Sequence, residues 1–145
     1  MGYDLKDPEA AAKIIKELAG TAYEWCGVGV KLDRSPFRVE FEGRDQGRAA
    51  AGFTLMEQPN CCGLLISTRS WVAGTHQKQG IAQSLMSLKE AIAKAFGYSA
   101  LIATVNITGN PVEVHILEKH GWKLTETFTN GRTANVVGIY TKVLN

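Results

Sequence analysis

The 145-residue sequence predicts a single α/β domain with a mixed sheet, spanning residues 1–145. Three strand-like segments joined by short turns predict an antiparallel meander. A helix between two apolar strands predicts a parallel pair joined by a right-handed crossover. A further helix and a hairpin follow, so that the predicted order is helix, three strands, helix, strand, helix, hairpin.

The first helix is predicted over residues 8–25, because Asp7 can cap it and Pro8 suits the first helical position. Gly20 leaves open a break into two pieces. The segment from Gly27 through Ser35 is predicted to be a loop, and a short strand over residues 28–32 is left open. The apolar face recurs at helical spacing and consists of Ala11, Ile14, Ile15, Leu18 and Ala22.

The strands of the meander are predicted over residues 37–42, 50–57 and 63–72. The first alternates apolar and charged residues, which is typical of a half-exposed strand. Turns containing glycine or proline separate the three strands. The third strand is long and apolar enough to be central in the sheet.

The second helix is predicted over residues 80–96, with Gly97 as its terminator. An apolar strand over residues 99–105 follows, and the helix between them makes parallel pairing with strand 63–72 the default. The buried stripe of this helix consists of Ile81, Leu85, Leu88, Ile92 and Phe96. Its polar side chains are expected mainly on other faces, and they are Gln83, Lys89, Glu90 and Lys94.

The last helix is predicted to begin with Asn110 as its cap, Pro111 at the first position and Glu113 reaching back. It extends to about His120. Two strands over residues 122–128 and 133–143 are predicted to form a hairpin, since Asn130-Gly131 between them is a strong signal for a tight turn.

Composition narrows the class of protein. A net charge of +2 is too small to indicate nucleic acid or an anionic membrane as a partner. No apolar run is as long as a membrane span, and the start of the chain lacks the pattern of a secretion signal. Cys26, Cys61 and Cys62 suit neither a disulfide framework nor a zinc site. We therefore expect a cytoplasmic protein with reduced thiols and no metal.

The stretch over residues 70–86 predicts a phosphate site. It contains a strand end, a polar turn with glycine and the start of an amphipathic helix. Such a junction turns backbone N–H groups and the positive end of the helix dipole toward one point. The turn lacks the glycine patterns of P-loop and Rossmann nucleotide sites.

Two motifs resemble the GNAT superfamily of acyl-CoA N-acyltransferases. The first is Gln-x-x-Gly-x-Ala from Gln77 to Ala82, preceded by Trp71-Val72, which is similar to that family's pyrophosphate loop. The second follows the family's Asn…Tyr-x-Lys-x-Gly-aromatic segment, with residues Asn110, Leu117, Lys119, Gly121 and Trp122. The resemblance covers roughly residues 36–145, and the family's usual first strand is missing or very short.

This resemblance implies a GNAT-like fold in which the strands 63–72 and 99–105 splay apart, and it implies acetyl-CoA or another acyl-CoA as co-substrate. The pantetheine arm would pair with the backbone near Trp71, Val72 and Ala73. Asn110 would cap its helix or reach the pantetheine, and Lys119 would belong to the same site. The diphosphate would lie in the loop at Gln77, Lys78, Gln79, Gly80, Ile81 and Ala82.

The implied reaction is direct attack of an amine on the thioester, which uses a base and an acid. Leu117 stands where the family usually has its tyrosine acid, and His115, two residues away, faces another side of the helix. The strand 63–72 carries no carboxylate, so Glu57 is the nearest one in sequence. Water relayed by Ser67 or Thr68 is an alternative. The catalytic candidates are therefore Glu57 and His115.

The predicted function is transfer of an acetyl or other acyl group from acyl-CoA to a primary amine on a small molecule or a protein. One alternative is a GNAT-fold protein that binds CoA without turnover. Another is an unrelated α/β domain whose polar turn binds some other phosphate ligand or none. The acceptor, the acyl-chain length and the oligomeric state, with a homodimer as one option, are left open.

Overall fold

A seven-stranded mixed β-sheet organises the chain in this computed structural model, which describes residues 8–34, 36–77 and 79–144. The spatial order of the strands is β1-β2-β3-β4-β5-β7-β6. The elements are α1 (Pro8–Ala22), β1 (Gly27–Arg34), β2 (Phe37–Asp45), β3 (Arg48–Gln58), β4 (Cys61–Val72), α2 (Ile81–Ala95), β5 (Ala100–Asn106), α3 (Pro111–Lys119), β6 (Lys123–Thr129) and β7 (Val136–Val143).

The predicted antiparallel meander is confirmed and extended by one strand. Strands β1 to β4 pair antiparallel in sequence order. Strand β1, predicted as a loop with at most a short strand, is a full strand that pairs with β2 from Gly27↔Arg44 to Arg34↔Phe37. A Cβ on Gly29 would lie 2.9 Å from Arg44 Nη2, which is the far end of a flexible side chain and can move aside.

Helix α1 runs without a break through Gly20 and ends at Ala22, so the break that Gly20 left open does not occur. Its buried residues Ala11, Ile15 and Ala19 lie at the predicted helical spacing. The predicted cap, Asp7, lies outside the described residues. None of the helices in the described ranges combines the length and hydrophobicity needed to cross a bilayer.

The predicted parallel pairing of β4 with β5 is confirmed, and β7 lies between β5 and β6. The predicted C-terminal hairpin is confirmed, since β6 and β7 pair antiparallel, but its connection is longer than predicted because β6 ends at Thr129 and β7 begins only at Val136. Asn130 Oδ1 accepts a hydrogen bond from the backbone N–H of Arg132 at 2.8 Å, which favours a wider loop. Ala134 holds the positive φ there, at 60°.

Helix α2 buries the predicted stripe against the sheet, with one addition that is not apolar. Lys89 is only 3% exposed, although it was predicted to lie mainly away from the stripe. Its Nζ donates a hydrogen bond to Ser70 Oγ at 2.5 Å and lies 5.4 Å from the centroid of the Phe53 ring. Burial lowers the pKa of Lys89 to about 8, and the nearby charge of Glu113 opposes that shift.

We expect Lys89→Met to stabilise the protein at pH 7. The folded state lowers the pKa of Lys89 from 10.5 to about 8, so the cost of charging it in the core is complete below pH 8. A shift of this size corresponds to a gain on the order of 3 kcal/mol for the variant. The gain should shrink as the pH rises from 8 toward 10.5, because the native lysine then becomes neutral.

Urea unfolding of both proteins across this pH range measures the difference. Lys94→Met, which removes an exposed lysine from the same helix, controls for loss of a lysine and should cost less than about 1 kcal/mol. A Lys89→Met gain that is absent or independent of pH would contradict the prediction.

Candidate functional site

The pairing between β4 and β5 is short and leaves a gap in the sheet. In the described residues the two strands pair only at Leu64↔Ala100, Leu65↔Leu101 and Ile66↔Ile102. Beyond these pairs β4 continues to Val72 and β5 to Asn106. Backbone groups on the facing edges of the two strands are therefore available to a ligand that lies between them.

A β-bulge in β4 bends the strand at the start of this gap. The register with β3 shifts between Gly52 and Thr54, opposite the segment that contains Arg69. Arg69 has a positive φ of 52°, which is uncommon for a residue with a side chain. A bulge bends its strand and increases the local twist, so it turns β4 away from β5.

The gap continues into a cleft of about 400 Å³. Apolar residues from α2 and α3 line one part of it, and polar residues of β4 line another. The lining includes Ser67, Thr68, Arg69, Ser70, Met86, Lys89, Glu113 and Leu117. Both serine and threonine candidates for a water relay, Ser67 and Thr68, therefore lie at this cleft.

The loop after β4 is held by three contacts. The backbone N–H of Ala73 donates to the carbonyl of Ala50 at 2.8 Å, which extends the β3–β4 ladder. Gln77 Nε2 donates to the carbonyl of Val72 at 3.2 Å. His76 Nε2 lies 2.8 Å from Asp45 Oδ2, and this hydrogen bond lowers the pKa of Asp45.

The start of α2 has the geometry of an anion site. Its first backbone bond runs from the N–H of Ser84 to the carbonyl of Gly80 at 3.1 Å, so the amides of Ile81 and Ala82 lie before it. Gly80 has a φ of 79°, and no heavy atom lies within 4 Å of the position where a Cβ would be. Gln79 lies in the same exposed segment, whereas Lys78 lies outside the described residues.

The two residues predicted on α3 lie at its ends. The capping box predicted for Asn110 does not form, because Asn110 Nδ2 donates to the carbonyl of Asn106 at 3.2 Å and Glu113 lines the cleft. Lys119 Nζ donates to Gln83 Oε1 at 3.2 Å, which links the end of α3 to the first turn of α2. Asn110 thus lies beyond the end of β5 and Lys119 near the loop.

Trp71 faces another part of the molecule. It is 41% exposed, and its indole ring covers Gly52, whose Cβ would meet Nε1 at 2.7 Å. The ring lines a separate concavity of about 620 Å³ over β1 to β4, together with Arg44 and Arg69. Only the backbone of Trp71, with that of Val72 and Ala73, follows the gap.

The two catalytic candidates lie outside the cleft lining. Glu57 Oε1 accepts a hydrogen bond from Tyr98 Oη at 2.8 Å. Burial is the main cause that raises the pKa of this tyrosine, and the hydrogen bond to Glu57 is the second cause. His115 is exposed on α3. Leu117, by contrast, is 1% exposed and lines the cleft. The catalytic roles of Glu57 and His115 remain predictions.

The sequence analysis missed the pair of ionisable groups that does line the cleft. Burial lowers the pKa of Lys89 to about 8, and burial also raises the pKa of Glu113. Each charge opposes the shift of the other group. A signal existed for Lys89, because it lies four residues after Leu85 and three before Ile92 and so shares their helix face.

The sequence matches no protein-family profile and no curated protein sequence. Solved structures do match. One is a putative GNAT acetyltransferase from Desulfovibrio desulfuricans, at 14% identity and a TM-score of 0.66, which covers 94% of this chain and 79% of that chain.

Two further structural neighbours have stated acceptors. An acetyltransferase from Salmonella typhimurium that modifies the N-terminal serine of a 50S ribosomal subunit protein matches at 12% identity and a TM-score of 0.64, covering 77% of this chain and 66% of that chain. A spermidine N-acetyltransferase chimera from Vibrio cholerae matches at 18% identity and a TM-score of 0.63, covering 77% and 70%. The chain therefore has the GNAT fold.

Proposed function

We propose that the protein is an N-acyltransferase that transfers an acetyl group from acetyl-CoA to a primary amine. The observation that carries this proposal is the gap between β4 and β5, which opens into the cleft and whose β4 edge continues toward the exposed start of α2. A cofactor with an anionic end, an extended amide arm and a reactive thioester needs these three regions in this order. Structural neighbours that acetylate a protein or a polyamine support the reaction class.

The start of α2 fits a diphosphate. The amides of Gln79, Gly80, Ile81 and Ala82 would bind it, helped by the dipole of a 15-residue helix. The empty space beside Gly80 supports this assignment, because a side chain there would occupy the volume that a phosphate needs. Lys119, which is hydrogen-bonded to Gln83 in the first turn of α2, would add positive charge at the same end.

The edges of β4 and β5 fit the pantetheine arm. Its amides would extend the sheet across the gap by pairing with the backbone from Ser67 to Ala73. The hydrogen bond from Gln77 to the carbonyl of Val72 holds the end of β4, and Asn110 stands near the end of β5. The thioester would then lie in the cleft, where the acceptor amine attacks it directly.

A second candidate function is CoA binding without turnover. The observation in its favour is Leu117, which lines the cleft and has no proton to give. A thiolate can leave without a dedicated acid, so the leucine does not exclude catalysis. The two functions share the cofactor site and differ only in whether CoA is released.

We expect acetyl-CoA to raise the melting temperature, because it binds the native state alone. At about 100 times its Kd a ligand stabilises by about 2.7 kcal/mol. For a domain of 145 residues this corresponds to roughly 5 to 10 °C, measured by thermal denaturation with and without acetyl-CoA.

Gly80→Trp should remove this shift by filling the phosphate space. Gly97→Trp is the matched control, since Gly97 is exposed, has a φ of 82° and lies at the other end of α2. Both variants carry similar backbone strain of about 1 to 3 kcal/mol, but only the first should lose the response to acetyl-CoA. No shift of the native protein at millimolar acetyl-CoA would contradict the proposed function.

We expect at least one amine to release CoA from acetyl-CoA in a free-thiol assay. The panel contains spermidine, amino acids, aminoglycosides, lysine peptides and a peptide that begins with serine. Gly80→Trp should reduce the release and Gly97→Trp should not. A protein that responds thermally to acetyl-CoA but releases no CoA with any acceptor would be a binding protein.

A further inference from the structure

Lys89 is a buried amine at the cleft without an ion-pair partner. In the described part of the chain, no carboxylate oxygen lies within 4 Å of its Nζ, whereas Lys31 and Lys142 each have one. Its direct polar contact is the hydroxyl of Ser70, at 2.5 Å. A charged group in such a place loses its hydration without full compensation, so burial makes the neutral amine accessible at a lower pH than for an exposed lysine.

Lys89 reaches the cleft from α2, and Ser70 reaches it from β4 just after the bulge. The other ionisable groups that line this cleft in the described residues are Arg69 and Glu113. A guanidinium group offers no acceptor for a proton. Glu113 lies across the cleft on α3, so it sets the charge around Lys89 and is a rival proton acceptor.

The described residues that line the cleft include no tyrosine, and Leu117 on α3 has no proton to give. One group that accepts a proton and then returns it would remove the need for a separate acid. A lysine with a pKa of about 8 can do both near neutral pH, whereas an ordinary lysine stays protonated.

We propose that Lys89 takes the proton of the attacking amine and returns it to the departing thiolate. This inference rests on the proposed function. The acceptor enters the cleft as a neutral amine, having left one proton in solvent. Its nitrogen bonds to the carbonyl carbon of the thioester, and a proton moves from that nitrogen to Nζ of neutral Lys89. As the C–S bond breaks, the sulfur takes this proton, which leaves an amide, free CoA and neutral Lys89.

The kinetic test measures CoA release from acetyl-CoA with spermidine and with a peptide that begins with serine. For the native protein, kcat should rise with pH and level off above about pH 8. Lys89→Met should reduce kcat about 100-fold or more and abolish this profile, with the KM for acetyl-CoA unchanged. Lys94→Met, at an exposed position on the same helix, should keep the native rate and profile.

Lys89→Arg separates proton transfer from simple charge. Arginine keeps the positive charge but does not give up its proton, so this variant should be as slow as Lys89→Met. Native activity in Lys89→Arg would overturn the proposal. If Glu113→Gln loses the pH dependence of kcat and Lys89→Met keeps it, the proposal is also overturned and proton transfer is assigned to Glu113.

Two measurements separate this inference from the proposed function. Lys89→Met should keep the thermal shift with acetyl-CoA. If Lys89→Met binds acetyl-CoA and also retains the native kcat, the role of Lys89 is overturned while the proposed function stands. If acetyl-CoA produces no thermal shift in the native protein, both proposals are overturned. If the native protein binds acetyl-CoA but releases no CoA, the role of Lys89 is also overturned.

In ¹³C-lysine NMR of the acetyl-CoA complex, Lys89 should titrate near pH 8, and titration near 10.5 would overturn the proposal.

Discussion

The constraint on which this structure depends is the short contact between β4 and β5. Their pairing ends at Ile66↔Ile102, and the bulge around Arg69 turns β4 away. A sheet that opens in its middle exposes two strand edges, which are costly to bury without partners. The cleft beneath it, with Lys89 at its wall, and the start of α2 at its mouth follow from this opening.

The features that a local signal marks could be predicted from the sequence. Helical spacing predicts α2 and its buried stripe, and short turns predict the meander. The connection through a helix predicts the parallel pair. At the site, the pattern from Gln77 to Ala82 predicts the polar loop and the helix start. This prediction needs only one local signal, since Gly80 has a positive φ and glycine is the residue that adopts it most readily.

Features that depend on distant contacts could not be predicted in this way. Strand β1 depends on pairing with β2 along its whole length, from Gly27↔Arg44 to Arg34↔Phe37. Glu57 is the nearest carboxylate in sequence to strand 63–72, but its hydrogen bond to Tyr98 spans 41 residues and is not visible in the local pattern. Lys89 has helical spacing that indicates burial and a polarity that indicates exposure, and only the packing of α2 on the sheet decides between them.

The contacts of His76 with Asp45 and of Gln77 with Val72 have a thermodynamic consequence. They tie His76 and Gln77 to the ends of β2 and β4, so part of the conformational entropy of these two residues is lost during folding and not during association. A ligand that docks there meets amides already oriented and need order little of the chain. Such preorganisation favours rigid-body docking, in which affinity differences arise mostly from the rate of dissociation.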